Sequence, residues 1–215
     1  MGELTKTMVA VGAAVLLVAI ASGSAPRRAA PDAFFDVGET FFPEFTDPEA
    51  ATSLEVVEFD EDTAAAAIFQ VTNRNGLWSI PSHHDYPADG KERLANTAAG
   101  LIAVTKDDFR SDSVTDHEAF GVIDPLDESI TTLRGRGRRV TFKGPSEEVL
   151  ADLIIGDSVE GRPGLNFVRV PDQNRVYAAR TDIGISTSFN DWIETNLLEV
   201  ERDDVKHVEL NEYEV

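Results

Sequence analysis

Residues 54–81, LEVVEFDEDTAAAAIFQVTNRNGLWSIP, decide the fold class of this chain. Leu54–Phe59 (LEVVEF) and Ala66–Thr72 (AAIFQVT) are rich in Val, Ile and Phe, side chains that pack well on a pleated surface. Asp60-Glu61-Asp62 separates them as a turn. Asn75-Gly76 is a strong hairpin signal, because a tight hairpin needs positive φ at its centre. Leu77–Pro81 (LWSIP) then returns as a third strand, with Trp78 and Ile80 on one face. Successive strands joined by turns this short must run antiparallel.

Downstream, Tyr86-Pro87-Ala88-Asp89 opens a helix, with Asp89 as its cap and Glu92 as the reciprocal partner. Leu94, Ala98, Leu101 and Ile102 recur at the spacing of one buried helical face. A shorter helix is expected from Thr115, with Glu118 in its first turn and Gly121 as its stop. Ser129–Leu133, Arg139–Lys143, Val149–Ile155, Asn166–Val170 and Arg175–Arg180 read as short strands parted by Gly, Pro or Asp/Asn turns. After Ser188 a last helix is expected, since Phe189, Trp192, Ile193 and Leu197 share a face. Val205–Leu210 reads as one further strand, so near Val215 that the chain is expected to continue beyond it. The fold class is therefore α+β: antiparallel β-meander sheets with a few short packing helices, behind one N-terminal transmembrane helix.

That helix is read from the stretch between Lys6 and Arg27, which carries no charge and is strongly apolar from Met8 to Ala21. A bilayer asks for roughly 20 residues, and the small flanking residues could complete the span. Three readings stand: an uncleaved anchor, a signal peptide cut after Ala19-Ile20-Ala21, and a buried soluble helix. The last is disfavoured because the pattern is apolar all round, with no polar stripe. Lys6 and the amino terminus favour a cytoplasmic start, Arg27 and Arg28 oppose it, and a large acidic body is expected outside, in the periplasm or cell exterior. Residues 1–25 are thus the anchor or signal segment. Residues 26–50 are a linker followed by an aromatic strap carrying Phe34, Phe35, Phe41, Phe42 and Phe45. Those rings could bury on the domain or dock a membrane partner, and burial is favoured because exposed aromatic clusters are costly. Residues 51–215 form the α+β body, with a division into two small subdomains near residue 126 left open.

The 215 residues carry 19 Lys and Arg against 39 Asp and Glu, a net charge of −20. Such an excess repels nucleic acid and anionic headgroups, so neither is expected as a broad-surface partner. Cysteine is absent, which excludes disulfides, thiol catalysis and Cys-ligated zinc. There is no Walker loop, no dinucleotide fingerprint, and Gly184-Ile185-Ser186-Thr187-Ser188 lacks the second glycine of a nucleophile elbow. No catalytic residue, cofactor or metal ligand is assigned.

DPEAATSLEVVEFDE (Asp47–Glu61), WSIPSHHDYPAD (Trp78–Asp89), HEAFGVIDPLDE (His117–Glu128), GRPGLNFVRVP (Gly161–Pro171) and STSFNDWIETNLL (Ser186–Leu198) together resemble the domain-of-unknown-function family 4340. The resemblance runs from about Phe34 to Val215 and rests on the order and spacing of the pieces. It implies an α+β domain behind a single membrane segment and an association with ABC-type transport systems, beside auxiliary proteins of the gliding-motility type. No catalytic residues come with it.

Two clusters invite a chemical reading. His83-His84-Asp85 sits on an extended segment, where adjacent side chains point to opposite sides and cannot readily share a metal. Arg134-Gly135-Arg136-Gly137-Arg138-Arg139 is the one basic run, expected as an exposed hairpin between Ser129–Leu133 and Arg139–Lys143. Arg134, Arg136, Arg138 and Arg139 are the candidate contacts for a partner or ligand, because guanidinium forks fit oxyanions and glycines free backbone N–H groups. The expected function is a non-catalytic interaction or accessory module of an ABC-type transport assembly, tethered outside the membrane. The alternative is a binder of an anionic glycan or phosphate-bearing ligand through the arginine loop.

Overall fold

The computed structural model describes residues 36–193 and 206–207. Nine strands form one antiparallel sheet: β1 (Ser53–Asp60), β2 (Ala65–Arg74), β3 (Leu77–Ile80), β4 (Tyr86–Pro87), β5 (Asp108–Ser111), β6 (Arg138–Lys143), β7 (Val149–Ser158), β8 (Leu165–Arg169) and β9 (Val176–Arg180). Their spatial order is β4-β3-β2-β1-β6-β7-β8-β9-β5. Among the described residues there is one α-helix, α1 (Lys91–Ile102), which links β4 to β5.

The first three strands form where the sequence placed them. β1 pairs β2 with Val56 opposite Phe69, and Asn75-Gly76 turns the chain into β3 with both residues at positive φ. Leu54 and Val56 of β1, Phe69 and Val71 of β2, and Val140 and Phe142 of β6 are buried in one core. Leu94, Ala98 and Leu101 of α1 enter the same core. Each such side chain contributes about 1.5–3 kcal/mol on burial. The seam between the halves of the sheet is β1 against β6, with Leu54 opposite Phe142 and Val56 opposite Val140.

The strap packs three of its phenylalanines, Phe41, Phe42 and Phe45, on the core. Phe45 is buried beside Phe142, their ring centroids 6.1 Å apart, and Phe41 meets Tyr177 edge-on at 5.5 Å. Its backbone is tied down as well: Gly38 N–H donates to Lys106 O, and Lys106 N–H donates to Glu39 O, each at 2.9 Å. Asp36 accepts from the Tyr177 hydroxyl and from Lys106 Nζ. Burial pushes the Asp36 carboxyl upward, but those two hydrogen bonds outweigh it and hold it below its ordinary value. Burial and the same carboxylate push Tyr177 up to about 12. Phe34 and Phe35 lie outside the described residues.

Several expectations need correction. Among the described residues there is a single nine-stranded sheet with one α-helix, not several meander sheets with a few helices, and no transmembrane helix. Among the described residues no helix is long and apolar enough to cross a membrane, and residues 1–25 lie outside them. The helix begins one residue late, capped by Gly90 without a side-chain hydrogen bond. Asp89 does not cap it; its N–H donates instead to Trp192 O at 2.9 Å. Tyr86–Pro87 is a short edge strand paired with β3. From Thr115 there is only a 3-10 turn, Val114–Asp116, because Asp116 takes the Ser111 hydroxyl and His117 is drawn inward. Ser129–Leu133 is not a strand, for β6 already has partners on both edges. Phe189–Asp191 is a 3-10 turn. The rest of that expected helix, and the Val205–Leu210 strand apart from the non-strand Lys206 and His207, lie outside the described residues.

The two tryptophans differ in burial. Trp192 is fully buried, near Phe69 and under Arg93, with its indole N–H donating to Ser186 O at 2.8 Å. Trp78 is half-buried. Replacing Trp192 with Ala should destabilise the domain by about 3–5 kcal/mol, and Trp78→Ala by roughly half as much. Urea unfolding of the two variants checks the order; a larger loss for Trp78 would invert the assignment.

Candidate functional site

The arginine run lies at the end of a long covering segment, residues 112–137, on the sheet face opposite α1. Val122 of this segment packs with Ile154 of β7 and Val176 of β9, and Phe120 packs on Phe167 with the rings tilted and centroids 4.5 Å apart. Three glycines make the approach possible. A Cβ on Gly137 would lie 2.7 Å from Gly121 O, and one on Gly156 would lie 2.4 Å from Phe120 O. Gly121 itself stands at φ +67°, hard against Asp157. Real Cβ atoms do not come that close, so glycine is required where the two backbones meet.

Arg136 then closes the segment on itself. Its guanidinium donates to five backbone carbonyls: Asp124 O at 3.0 Å, Pro125 O at 3.4 Å, Asp127 O at 3.0 Å, Ile130 O at 2.6 Å and Thr132 O at 3.2 Å. Its plane also lies over the Phe59 ring, 4.6 Å from the centroid. The carbonyls of Ile130 and Thr132, expected in a strand ladder, are spent here. A parallel bridge between Ile123 and Arg136 completes the fold-back.

The other arginines of the run divide by role. Arg139 forks onto Asp152, with Nε 3.0 Å from Oδ1 and Nη2 2.6 Å from Oδ2, and also reaches Asp124 at 2.9 Å. The Asp152 hydrogen bond raises its pKa despite burial. Arg138 Nε lies 2.6 Å from Glu58 Oε1 as a half-exposed ion pair without hydrogen-bond alignment. Arg134 is exposed and its guanidinium has no partner among the described residues. It borders an open depression of about 600 Å³ that also carries Glu61, Glu118 and Asp157. The four residues therefore do not form one anion-binding fork, and the run is not an exposed hairpin. Gly135 keeps the positive φ expected of it, whereas Gly137 is needed for close approach.

A second arginine was not singled out by the sequence. Arg169 of β8 is 6% exposed, with Nε donating to Val122 O at 2.9 Å and Nη1 to Pro171 O and to Gln173 O at 3.0 Å. Burial lowers its pKa. Beside it His117, 5% exposed, shares a 2.8 Å hydrogen bond with Asn174 O. A carbonyl can only accept, so His117 Nε2 carries the proton. Local sequence does not mark Arg169: Pro171 and Gln173 are close in the chain, but Val122, the partner that ties it to the covering segment, lies 47 positions away.

His83-His84-Asp85 and His117 do not converge on a ligand set. His83 stacks on Phe189 at 4.6 Å and contacts Ser82 Oγ, while His84 and Asp85 both hold left-handed backbone, at φ 58° and 54°. Among the described residues no group of three or more His, Asp and Glu could hold a metal ion. Ser186 caps a turn, its hydroxyl on Asp191 and its Oγ accepting from Ser188 N–H.

Residues 78–215 match the family model described as Domain of unknown function (DUF4340). The chain belongs to that family. No curated protein and no solved structure matches it. The DUF4340 match starts inside β3, later than the resemblance read from Phe34 onward. β1 and β2 precede it, yet β1 joins the two halves of the sheet.

In this DUF4340 chain the buried contacts of the covering segment set two measurable properties. Arg136→Ala strands several carbonyls and should cost about 2–4 kcal/mol, whereas Arg138→Ala should stay within about 0.5 kcal/mol. Urea unfolding separates them. Burial pushes His117 below its ordinary value of 6.5, with Arg169 opposing its charged form further and Asn174 and Asp116 offsetting in part. Below about pH 6.5 the unfolded chain therefore binds more protons at this site, and stability falls as pH falls. Unfolding midpoints between about pH 7.5 and 5.5 should decline in the wild type and decline less in His117→Gln. Equal slopes would remove His117 as the cause.

Proposed function

We propose that this chain is a non-catalytic interaction module that serves an ABC-type transport assembly at the outer face of a membrane. The observation that carries it is the covering segment. Arg136 holds residues 124–132 by their own carbonyls, and the segment so fixed leaves Leu126 41% and Leu133 42% exposed. A rigid loop that offers apolar side chains loses little entropy on binding, which favours recognition over chemistry. The guanidiniums of Arg136, Arg139 and Arg169 meanwhile have internal partners and serve the fold. The net charge of −20 suits a partner with a basic contact surface. The outer-face location is supported by the uncharged Met8–Ala21 stretch together with the acidic body that follows it.

Binding of an anionic glycan or phosphate ester is the second reading, and its support is narrower. It falls to Arg134, whose guanidinium has no partner among the described residues and lines an open depression that three carboxylates share.

Affinity capture of the full chain from native membranes, with identification by mass spectrometry, tests the first reading. Transporter subunits are the expected catch, and they should be lost with Leu126→Ser plus Leu133→Ser while the unfolding midpoint stays near wild type. Capture without any transporter subunit, or capture indifferent to both leucines, would overturn it.

A further inference from the structure

A separate pocket of about 360 Å³ opens between the β2–β3 hairpin and the first turns of α1. Its floor is aliphatic, from Leu94 and Ala95, and the half-buried Trp78 forms part of its lining. The Trp78 ring is held in place from the helix side. A Cβ on Gly90 would lie 3.0 Å from its Cε3, so the ring already sits against that glycine. Among the described residues the indole N–H has no hydrogen-bond partner.

The polar lining is similarly unspent. Asn73 Oδ1 accepts from Gly76 N–H at 2.9 Å, which fixes the amide and leaves its NH2 donors free. Glu49 and Lys91 both line the pocket, and neither side chain has an ion-pair or hydrogen-bond partner among the described residues. They carry opposite charges. In a chain of net charge −20 this leaves the lining without net charge, which favours a ligand that carries none. The ligand must also present an apolar face to an aromatic ring while its edge exchanges hydrogen bonds with a carboxylate, an ammonium, an amide and an indole N–H. A pyranose does this: its axial C–H groups stack on an indole and its ring of hydroxyls both donates and accepts.

We infer that this pocket is a binding site for a neutral sugar, with Trp78 as the stacking platform and Asn73, Glu49 and Lys91 as the hydroxyl contacts. The site is distinct from the arginine run and does not rest on the transport reading.

The two tryptophans make the test direct, because Trp192 is fully buried and only Trp78 can meet a ligand. The full chain is titrated with methyl β-glucopyranoside, cellobiose, maltose and N,N′-diacetylchitobiose, with glucuronate as the charged comparator. At least one neutral probe should shift the intrinsic fluorescence at or below about 10 mM, and the response should vanish in Trp78→Phe. Calorimetric affinity should fall about tenfold or more in Ala95→Phe, which fills the floor from the exposed side of the helix, and in Glu49→Gln plus Lys91→Met. Ala95→Phe keeps the test intact if a Trp78 variant folds poorly. No response to any neutral probe, a stronger response to glucuronate, or affinity unchanged by Ala95→Phe would each overturn the inference. A response to an apolar peptide alone would overturn it too, and would make the pocket a protein contact.

Discussion

The backbone contact between the covering segment and β7 is the constraint on which the rest depends. A nine-stranded sheet has two faces to bury, and the one helix among the described residues can cover only part of one. Part of the second face, over β7 to β9, is covered by residues 112–137, an irregular segment with almost no ladder of its own. Irregular backbone laid over a core must find hydrogen-bond partners elsewhere. Local backbone turns supply some of them, and side chains supply many of the rest: Arg136 gives donors to five carbonyls within the segment, and Arg169 reaches from the sheet to the carbonyls of Val122, Pro171 and Gln173. Gly121, Gly137 and Gly156 let the chain come near enough for those donors to reach.

This use of arginine explains why the most conspicuous charged motif is poor evidence of a ligand. A guanidinium has five N–H donors in a fixed plane and no acceptor, so it suits a curl of carbonyls as well as it suits a phosphate. Sequence shows only that the run is basic. Which carbonyls or carboxylates it meets depends on Asp124, Asp127 and Asp152, and the first two belong to a segment with no periodic pattern. The same limit hid Arg169, a single positive residue in an apolar strand, and placed the expected hairpin where no hairpin forms.

What the sequence did convey was governed by short-range rules. β1, β2 and β3 with the Asn75-Gly76 turn, the buried stripe Leu94, Ala98 and Leu101, and the cores of β6 to β9 follow from side-chain alternation and turn chemistry. Burial of Phe45, and of Phe41 and Phe42 in part, followed from the cost of exposing them. β5 was missed because Asp108-Phe109-Arg110-Ser111 lacks the apolar alternation of a strand and is held by its pairing to β9. The Asp89 cap was misread because the residue's own backbone is engaged by Trp192, about a hundred positions away. The Trp78 pocket was not legible either, since Glu49, Asn73 and Lys91 come from three separate elements.

The order of the strands also bears on how the domain is made. β1 to β4 and β6 to β9 are two runs of sequence neighbours, each able to zip from its own turns within microseconds once begun. The seam between β1 and β6 is different: Leu54 must find Phe142 across a long intervening loop before the helix has a complete floor to rest on. Closing that loop costs entropy that no local turn returns. Joining the two meanders is thus the natural slow step, and until it occurs the facing edges of β1 and β6 are open to strands from other chains.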